Sequence, residues 1–186
     1  DVAGNTAVTV IRSISVQDSN APVVTPPDNI IVAATDASGT ENTTTAIATF
    51  LAAATAADVV DGSGPVTHDA PVTFPLGITT VTFSATDLSS NTGQAQATVT
   101  ITDQSPPVIS LIGTNSMTLN VGDIFSDPGH SVTDNVNAGL IATVTGSVNT
   151  ATVGTYPLNY NVSDTAGNVA TQITRTVSVV DNVSPD

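Results

Sequence analysis

The sequence predicts an all-β protein made of small Greek-key β-sandwiches that follow one another along the chain. Apolar and polar residues alternate with a period near two over many short segments, which is typical of strands that bury one face. The apolar residues are mostly Val, Ala and Ile, and β-branched residues suit the half-buried surface of a sheet. Several short strands separated by turns within about 80 residues are typical of such a sandwich.

The alternation predicts strands in two successive stretches, residues 18–103 and 104–181. In the first stretch the predicted strands are residues 30–35, 45–52, 65–69, 79–86 and 94–102. In the second they are residues 108–112, 116–121, 140–148, 154–163 and 170–180. Residues 46–57 are rich enough in Ala for a helix to compete, but the Thr, Ile and Phe residues in and around this segment favour a strand.

Internal repetition organises the chain. Residues 1–23 (DVAGNTAVTVIRSISVQDSNAPV) and 164–186 (DTAGNVATQITRTVSVVDNVSPD) align without a gap, and residues 87–108 form a third, looser copy. Each copy holds a turn, an alternating strand, an Asp and a Pro-containing linker, so we expect each to close one domain and lead into the next. Residues 1–17 would then be the last strand of a truncated preceding domain. Residues 18–103 and 104–181 would be two complete domains, and residues 182–186 would start the linker to a further repeat.

Two other arrangements remain open. A single sandwich of 186 residues is possible, but it does not explain why the linkers recur. Alternatively, the strand predicted over residues 6–17 completes a sandwich in a neighbouring copy by strand addition, which would make the protein a filament subunit. Val8, Val10, Ile14 and Val16 of this strand fall on one face, which Arg12 interrupts.

Two stretches carry recognisable family patterns. Residues 74–103 (FPLGITTVTFSATDLSSNTGQAQATVTITD) resemble the C-terminal half of a hyalin-repeat (HYR) module, and the run DVVDG at residues 58–62 fits the acidic loop of that module. Residues 107–181, with LNVGDIFSDPGHSVTDN and VGTYPLNYNVSDTAGNVA, resemble a bacterial Ig-like surface-protein module. The resemblance implies tandem immunoglobulin-like Greek-key β-sandwiches. It also implies a role as a spacer or adhesive stalk in a surface protein, or as a module beside a secreted enzyme.

Charge and motif content exclude several classes of function. The chain has 2 basic and 16 acidic residues, a net charge of -14 and no Cys or Trp. Such a surface repels nucleic acid and anionic lipid and attracts cations. There is no uninterrupted apolar run long enough to span a membrane. The sequence contains no phosphate-binding loop, dinucleotide fingerprint, nucleophile elbow or Cys-based zinc motif, so we predict that the chain is not an enzyme.

The acidic residues are predicted to gather at the domain junctions, where loops at one end of each sandwich meet the incoming linker. The first set is Asp18, Asp58, Asp61, Asp87 and Asn91, and the second is Asp103, Asp127, Asp134, Asp164 and Asn168. Neighbouring carboxylates repel one another unless a cation intervenes, and calcium prefers oxygen ligands from Asp, Asn and carbonyl groups. We therefore expect calcium at each junction, with simple turn formation by Asp and Asn as the alternative.

Together these features predict a structural segment of a bacterial extracellular or cell-surface protein, an adhesin stalk or fibre stiffened by calcium. The expected partners are neighbouring Ig-like domains of the same chain, with other copies in a fibre as a further candidate, and with no nucleic acid and no membrane insertion. A ligand-binding module and an accessory region of a secreted enzyme remain the alternatives. Arg12 and Arg175 occupy equivalent repeat positions, and we expect an ion pair within the domain in preference to a contact with a partner's carboxylate.

Overall fold

The computed structural model describes residues 2–182. The chain first forms β1 (Val23–Thr25), β2 (Ile30–Ala33), β3 (Thr40–Glu41), α1 (Thr45–Ala52), β4 (Thr55–Asp58), β5 (Gly62–Gly64), β6 (Thr67–His68), β7 (Thr73–Phe74), β8 (Gly77–Thr86) and β9 (Thr92–Thr102). It continues with β10 (Val108–Leu111), β11 (Ser116–Asn120), β12 (His130–Thr133), β13 (Thr143–Thr145), β14 (Gly154–Asn161) and β15 (Ile173–Val180). We call β1–β9 the N-terminal β-region and β10–β15 the C-terminal β-region. No helix among the described residues is long and apolar enough to cross a bilayer.

The two β-regions share one strand arrangement. The N-terminal β-region has a four-stranded sheet in the order β2-β9-β8-β6, and the C-terminal β-region has one in the order β11-β15-β14-β13. In the first sheet β9 runs parallel to β2 and antiparallel to β8. In the second sheet β15 runs parallel to β11 and antiparallel to β14. Against these sheets lie smaller ones, β1-β4-β5 with β3-β7 in the first region and β10-β12 in the second.

Each β-region has its own apolar core, built by the inward-facing residues of alternating strands. In the N-terminal β-region, Val81 and Phe83 of β8 and Val99 and Ile101 of β9 are almost fully buried. In the C-terminal β-region, Leu158 and Tyr160 of β14 and Val177 and Val179 of β15 take the same places. The alternation therefore predicted these long strands correctly, and the all-β fold class is confirmed. The tandem Ig-like arrangement and the domain boundaries stay predictions.

The strand predicted over residues 45–52 is wrong, because this segment forms the helix α1. Ile47 and Phe50 lie three positions apart and are both buried, which is the spacing of one helix face. Phe50 packs edge-to-face on Phe83 of β8, with 5.7 Å between the ring centroids. The Ala residues favour the helix, and this packing outweighs the weak preference of Thr and Ile for strands.

Residues 2–17 form no strand in the structure, although the sequence predicts one there. A strand exists by hydrogen bonding to a neighbour, and none of the described strands pairs with this segment. Its apolar residues Val8, Val10, Ile14 and Val16 are exposed by 82–92%.

The two β-regions contact each other beside the linker between them. The side-chain amide of Asn135 donates a hydrogen bond of 2.9 Å to the backbone carbonyl of Ala34. Val136 packs against the apolar core of the N-terminal β-region. Ala34 itself is held to the end of β9 by its N–H, which donates to the carbonyl of Thr102 at 2.8 Å. The loop after β12 thus reaches back onto the preceding region.

Candidate metal centres

Three carboxylates meet at one end of the N-terminal β-region and form the group we call cluster 1. Asp18 comes from the segment before β1, Asp61 from the loop between β4 and β5, and Asp87 from the turn between β8 and β9. One oxygen of each lies within 4.8 Å of the others. Loops remote in sequence therefore bring three negative charges together, as the sequence analysis predicted for these residues.

The loop of cluster 1 is shaped by its own carboxylates. One oxygen of Asp58 accepts the N–H groups of Val60 at 2.7 Å and Asp61 at 3.2 Å. Asp61 in turn accepts the N–H of Leu88 at 2.9 Å, which joins this loop to the β8–β9 turn. Asp58 caps the local turn, as Asp commonly does, and is not among the three carboxylates that meet.

The β8–β9 turn is closed by the pair Asp87 and Asn91. Asp87 accepts the backbone N–H of Asn91 at 2.7 Å and its side-chain N–H at 2.8 Å. The same amide group also donates to the carbonyl of Asp18 at 3.2 Å, so it ties the incoming segment to the turn. Desolvation raises the pKa of Asp87, but hydrogen bonds from Asn91 and from the turn backbone lower it by more. The net pKa of Asp87 is therefore below its ordinary value. The carboxylate is therefore ionised at neutral pH.

The C-terminal β-region repeats this construction around Asp103, Asp134 and Asp164, which form cluster 2. Asn168 donates its side-chain N–H to Asp164 at 2.7 Å and to the carbonyl of Asp103 at 3.3 Å. Its backbone N–H donates to Asp164 at 2.8 Å. The net pKa of Asp164 is again lowered, because these and other turn hydrogen bonds outweigh desolvation. Asp103 lies in the linker between the two β-regions.

The loop of cluster 2 contains a residue that the sequence analysis missed. Asp134 accepts the N–H groups of Val136 at 2.9 Å and Asn137 at 2.7 Å, as Asp58 does with Val60 and Asp61 in the first loop. Asn137 accepts the N–H of Thr165 at 2.9 Å, which is the role of Asp61. The shared signal is an Asp followed three residues later by Asp or Asn, before a distant D-x-x-x-N turn. Cluster 1 uses the second residue of this pair, Asp61, whereas cluster 2 uses the first, Asp134.

Both clusters hold carboxylate oxygens that have no hydrogen-bond donor among the described residues. One oxygen each of Asp18, Asp103 and Asp134 is buried and accepts no hydrogen bond from any described residue. A buried carboxylate oxygen without a donor is costly, and the neighbouring carboxylates add like-charge repulsion. A cation would relieve both costs. The donor set contains only oxygen atoms, which suits calcium, whereas zinc prefers His or Cys ligands.

Asp127 lies in a different environment from the other predicted ligands. One of its oxygens is 3.4 Å from a guanidinium nitrogen of Arg175, and the other accepts the hydroxyl of Tyr160 at 2.7 Å. Desolvation raises the pKa of Asp127, but the N–H of Gly129, the Tyr160 hydroxyl and the Arg175 charge lower it more. The structure thus places Asp127 outside cluster 2, and its charge balances a buried guanidinium.

The Arg175 pair accounts for a charged residue on the buried face of β15. Arg175 is 0% exposed and donates to the carbonyls of Ile112 at 2.8 Å and Gly129 at 3.1 Å. The ion pair expected within the domain is therefore present for Arg175. Arg12, at the equivalent repeat position, is exposed.

Comparison with known proteins finds similarity to a surface-protein domain family, to hyalin and to a lipoprotein. Residues 109–179 match the family model described as bacterial surface protein, Ig-like domain. Over 114 residues, 57% of this chain, the sequence is 31% identical to hyalin from Strongylocentrotus purpuratus, and the chain spans 9% of that protein's length. It is also 27% identical to the lipoprotein BT2262 from Bacteroides thetaiotaomicron, whose crystal structure aligns over 42% of this chain and 40% of that one with a TM-score of 0.37.

The family-model match and the hyalin match confirm the two resemblances seen in the sequence. The Ig-like surface domain family is generally non-catalytic, and its members point to the cell surface or the extracellular space. Residues 109–179 therefore carry the sequence pattern of the bacterial surface protein Ig-like domain, within a region that folds as β-sheets.

Proposed function

We propose that this chain is a non-catalytic extender segment of a repetitive extracellular surface protein, and that calcium bound at clusters 1 and 2 stiffens it. The observation that carries the proposal is the origin of the carboxylates. In each cluster one comes from the segment that enters a β-region, Asp18 or Asp103, and the other two come from loops of that region. A cation held by such a set links the connecting segment to the module.

Cluster 2 supports the mechanical role most directly. Asp103 follows β9 immediately, so its position depends on the N-terminal β-region, while Asp134 and Asp164 belong to the C-terminal β-region. Asn135, next to Asp134, already donates a hydrogen bond to Ala34 across the junction. Calcium bound to these three carboxylates would hold the linker against both loops, which would restrict hinge motion between the regions.

The chemistry of the sites favours calcium over magnesium. Calcium accepts six to eight oxygen ligands in an adaptable geometry, which suits carboxylates from three separate segments together with backbone carbonyls. Magnesium demands a tight octahedron and retains water. Because the oxygens already converge, binding requires little rearrangement, and the ion would stabilise the folded state by mass action, about 2.7 kcal/mol at 100 times the dissociation constant.

A calcium titration of the purified chain tests the proposal. We expect calorimetry to show saturable binding at two sites and chelator to lower the thermal midpoint. The only two tyrosines, Tyr156 and Tyr160, lie on β14 and there is no Trp, so tyrosine fluorescence reports unfolding of the C-terminal β-region alone. Calcium should raise the midpoint of this signal through cluster 2.

The variant Asp103→Asn sharpens the test because its effect should change sign with calcium. Without calcium it removes one of three mutually repelling charges, so the tyrosine-detected midpoint should stay level or rise. With calcium the variant should lose the stabilisation that the native chain shows. The control is Asp28→Asn, which removes the same charge outside both clusters. Asp28 is exposed and lies between β1 and β2. A flat calorimetric trace, or a calcium response that survives Asp103→Asn, would refute the calcium site.

The mechanical part has its own readout. The angle between the two β-regions can be followed by small-angle scattering or by distance measurements between labels placed one in each region. Calcium should narrow the distribution of distances in the native chain and leave it unchanged in Asp103→Asn. Equal distributions with and without calcium, in a chain that binds the ion, would show that binding does not stiffen the junction.

A further inference from the structure

Residues 10–17 present an apolar face that is not covered by any described part of the chain. Val10, Ile14 and Val16 are exposed by 82%, 88% and 92%, and Arg12 between them is exposed as well. Every second residue points to the same side of a β-strand, so these four would share one face in a strand. Exposed apolar stretches of this kind mark interaction surfaces.

The sequence of β15 shows how such a face is covered. Because residues 1–23 and 164–186 align without a gap, Val10, Arg12, Ile14 and Val16 correspond to Ile173, Arg175, Val177 and Val179. The last three of these are buried to within 1% of full burial. β15 reaches this state by lying between β11, to which it is parallel, and β14, to which it is antiparallel.

The arginine distinguishes one type of module from the other. The strands can be compared by counting back two, four and six residues from the Asp that ends each copy. Before Asp181, β15 has Val179, Val177 and Arg175. Before Asp103, β9 has Ile101, Val99 and Ala97. The segment before Asp18 has Val16, Ile14 and Arg12. It therefore matches β15, not β9, at the position where the two β-regions differ most in chemistry. A buried arginine requires a counter-charge and acceptors, which the C-terminal β-region supplies through Asp127 and the carbonyls of Ile112 and Gly129.

We propose that residues 7–17 form the last strand of an Ig-like module of the same type as residues 109–179, and that this module precedes them in the same polypeptide. The segment lies between the counterparts of β11 and β14, and Arg12 is buried against the counterpart of Asp127. This inference does not depend on calcium, since it rests on the strand and its arginine alone.

The direct test extends the chain by its own sequence. Residues 104–163 are placed immediately before Asp1, because residue 164 aligns with residue 1. In the native chain the backbone amides of residues 8–16 should exchange with deuterium at the rate of an unstructured segment. In the extended chain they should exchange more than about 100-fold more slowly, as expected of strands within a cooperatively folded unit. Arg12→Met should remove most of that protection in the extended chain and leave the thermal midpoint of the native chain unchanged.

A second extension tests the module type. Residues 18–86 placed before Asp1 supply a sheet that normally receives β9, which has Ala97 where the segment has Arg12. The backbone amides of residues 8–16 should therefore still exchange rapidly in this second extended chain. If both extensions protect the segment equally, the assignment to the Arg-bearing type is overturned. If neither protects it, or if the native chain alone shows protection that rises with concentration, the preceding-module proposal is overturned. The last result would assign the segment to a second copy instead.

A strand transplant keeps the proposal falsifiable if an extended chain does not fold. Residues 164–181 are replaced by residues 1–18, so that the N-terminal segment must act as the last strand of the C-terminal β-region. We expect a cooperative tyrosine-detected transition, and Arg12→Met in this chimera should lower its midpoint as Arg175→Met does in the native chain. The matched control inserts residues 87–103 in the same place and should abolish the transition. Loss of the transition in the first chimera overturns the proposal.

Discussion

Replacing Asp127 by Asn should leave the guanidinium of Arg175 buried without its counter-charge. Arg175 is 0% exposed, and its nearest carboxylate oxygen, on Asp127, is 3.4 Å away. The amide of Asn is nearly the same size as the carboxylate, so the substitution removes the charge and preserves the packing. The variant therefore isolates the electrostatic contribution of this pair to the stability of the C-terminal β-region.

The expected loss in free energy of unfolding depends on which interactions the remaining partner, Arg175 or Asp127, still has. Removing one member of a buried pair and leaving the other charged costs about 3–5 kcal/mol. The reverse variant, Arg175→Met, leaves Asp127 with 27% of its side chain exposed to solvent and with the Tyr160 hydroxyl as a donor. The carbonyl of Ile112 loses the Arg175 donor, while that of Gly129 retains the N–H of Ile112. We expect Arg175→Met to cost about 1–3 kcal/mol, the penalty for an unsatisfied buried polar group.

Urea unfolding followed by tyrosine fluorescence measures these differences. Both tyrosines lie on β14 of the C-terminal β-region, so the signal is specific to the region that contains the pair. Thermal midpoints give a second measure, since 1 kcal/mol shifts the midpoint of a small domain by about 4–8 °C. The double variant with both substitutions should cost less than the sum of the single ones, because the buried charge and its missing partner are removed together.

The order of the effects is the critical result. Asp127→Asn should be more destabilising than Arg175→Met, and Asp28→Asn should leave the tyrosine-detected transition unchanged. A cost below about 1 kcal/mol for Asp127→Asn, in the range of exposed ion pairs, would refute the buried-pair reasoning. A larger cost for Arg175→Met than for Asp127→Asn would show that side-chain packing dominates the electrostatic contribution.

Two further predictions concern acid stability and the closest backbone approach at the N-terminal β-region. The folded-state pKa of Asp127 is lowered below its ordinary value of 3.8, so its contribution to stability is present above that pH and is lost as the pH falls through the folded pKa. The tyrosine-detected stability of the native chain should therefore fall more steeply than that of Asp127→Asn when the pH is lowered from about 5; parallel curves would contradict this. Gly93→Ala should destabilise the N-terminal β-region, because the added Cβ would collide with the backbone carbonyl of Pro22. The control Gly64→Ala should have no such effect, because the space around Gly64 is open. Thermal unfolding followed by circular dichroism compares the two variants, and equal midpoints would contradict the expected collision.

The cluster members show how far local sequence signals reach. The pairs Asp87–Asn91 and Asp164–Asn168 were predictable, because an Asp and an Asn four residues apart can close a turn with their own side chains. Their meeting with Asp18 and Asp103 followed from placing the linker at the same end as the loops. The contribution of Asn137 was not predicted, because an amide in a loop has no distinctive pattern until the matching hydrogen bonds of the other region are seen.

The helix α1 and the role of Asp127 could not be predicted for a related reason. Thr45–Ala52 has mixed propensities, and the contact of Phe50 with Phe83 of β8 decided between helix and strand. Asp127 and Arg175 are far apart in sequence, and nothing near either residue marks the other as its partner.

The sequence by itself therefore determined the all-β class, the alternation of the long strands and all six clustered carboxylates. It could do so because alternation and side-chain-capped turns are local properties of the chain. Only the tertiary structure decided that residues 45–52 are helical and that Asp127 serves a buried guanidinium. Those outcomes depend on which distant groups share a desolvated space, where a counter-charge or an aromatic contact outweighs local preference.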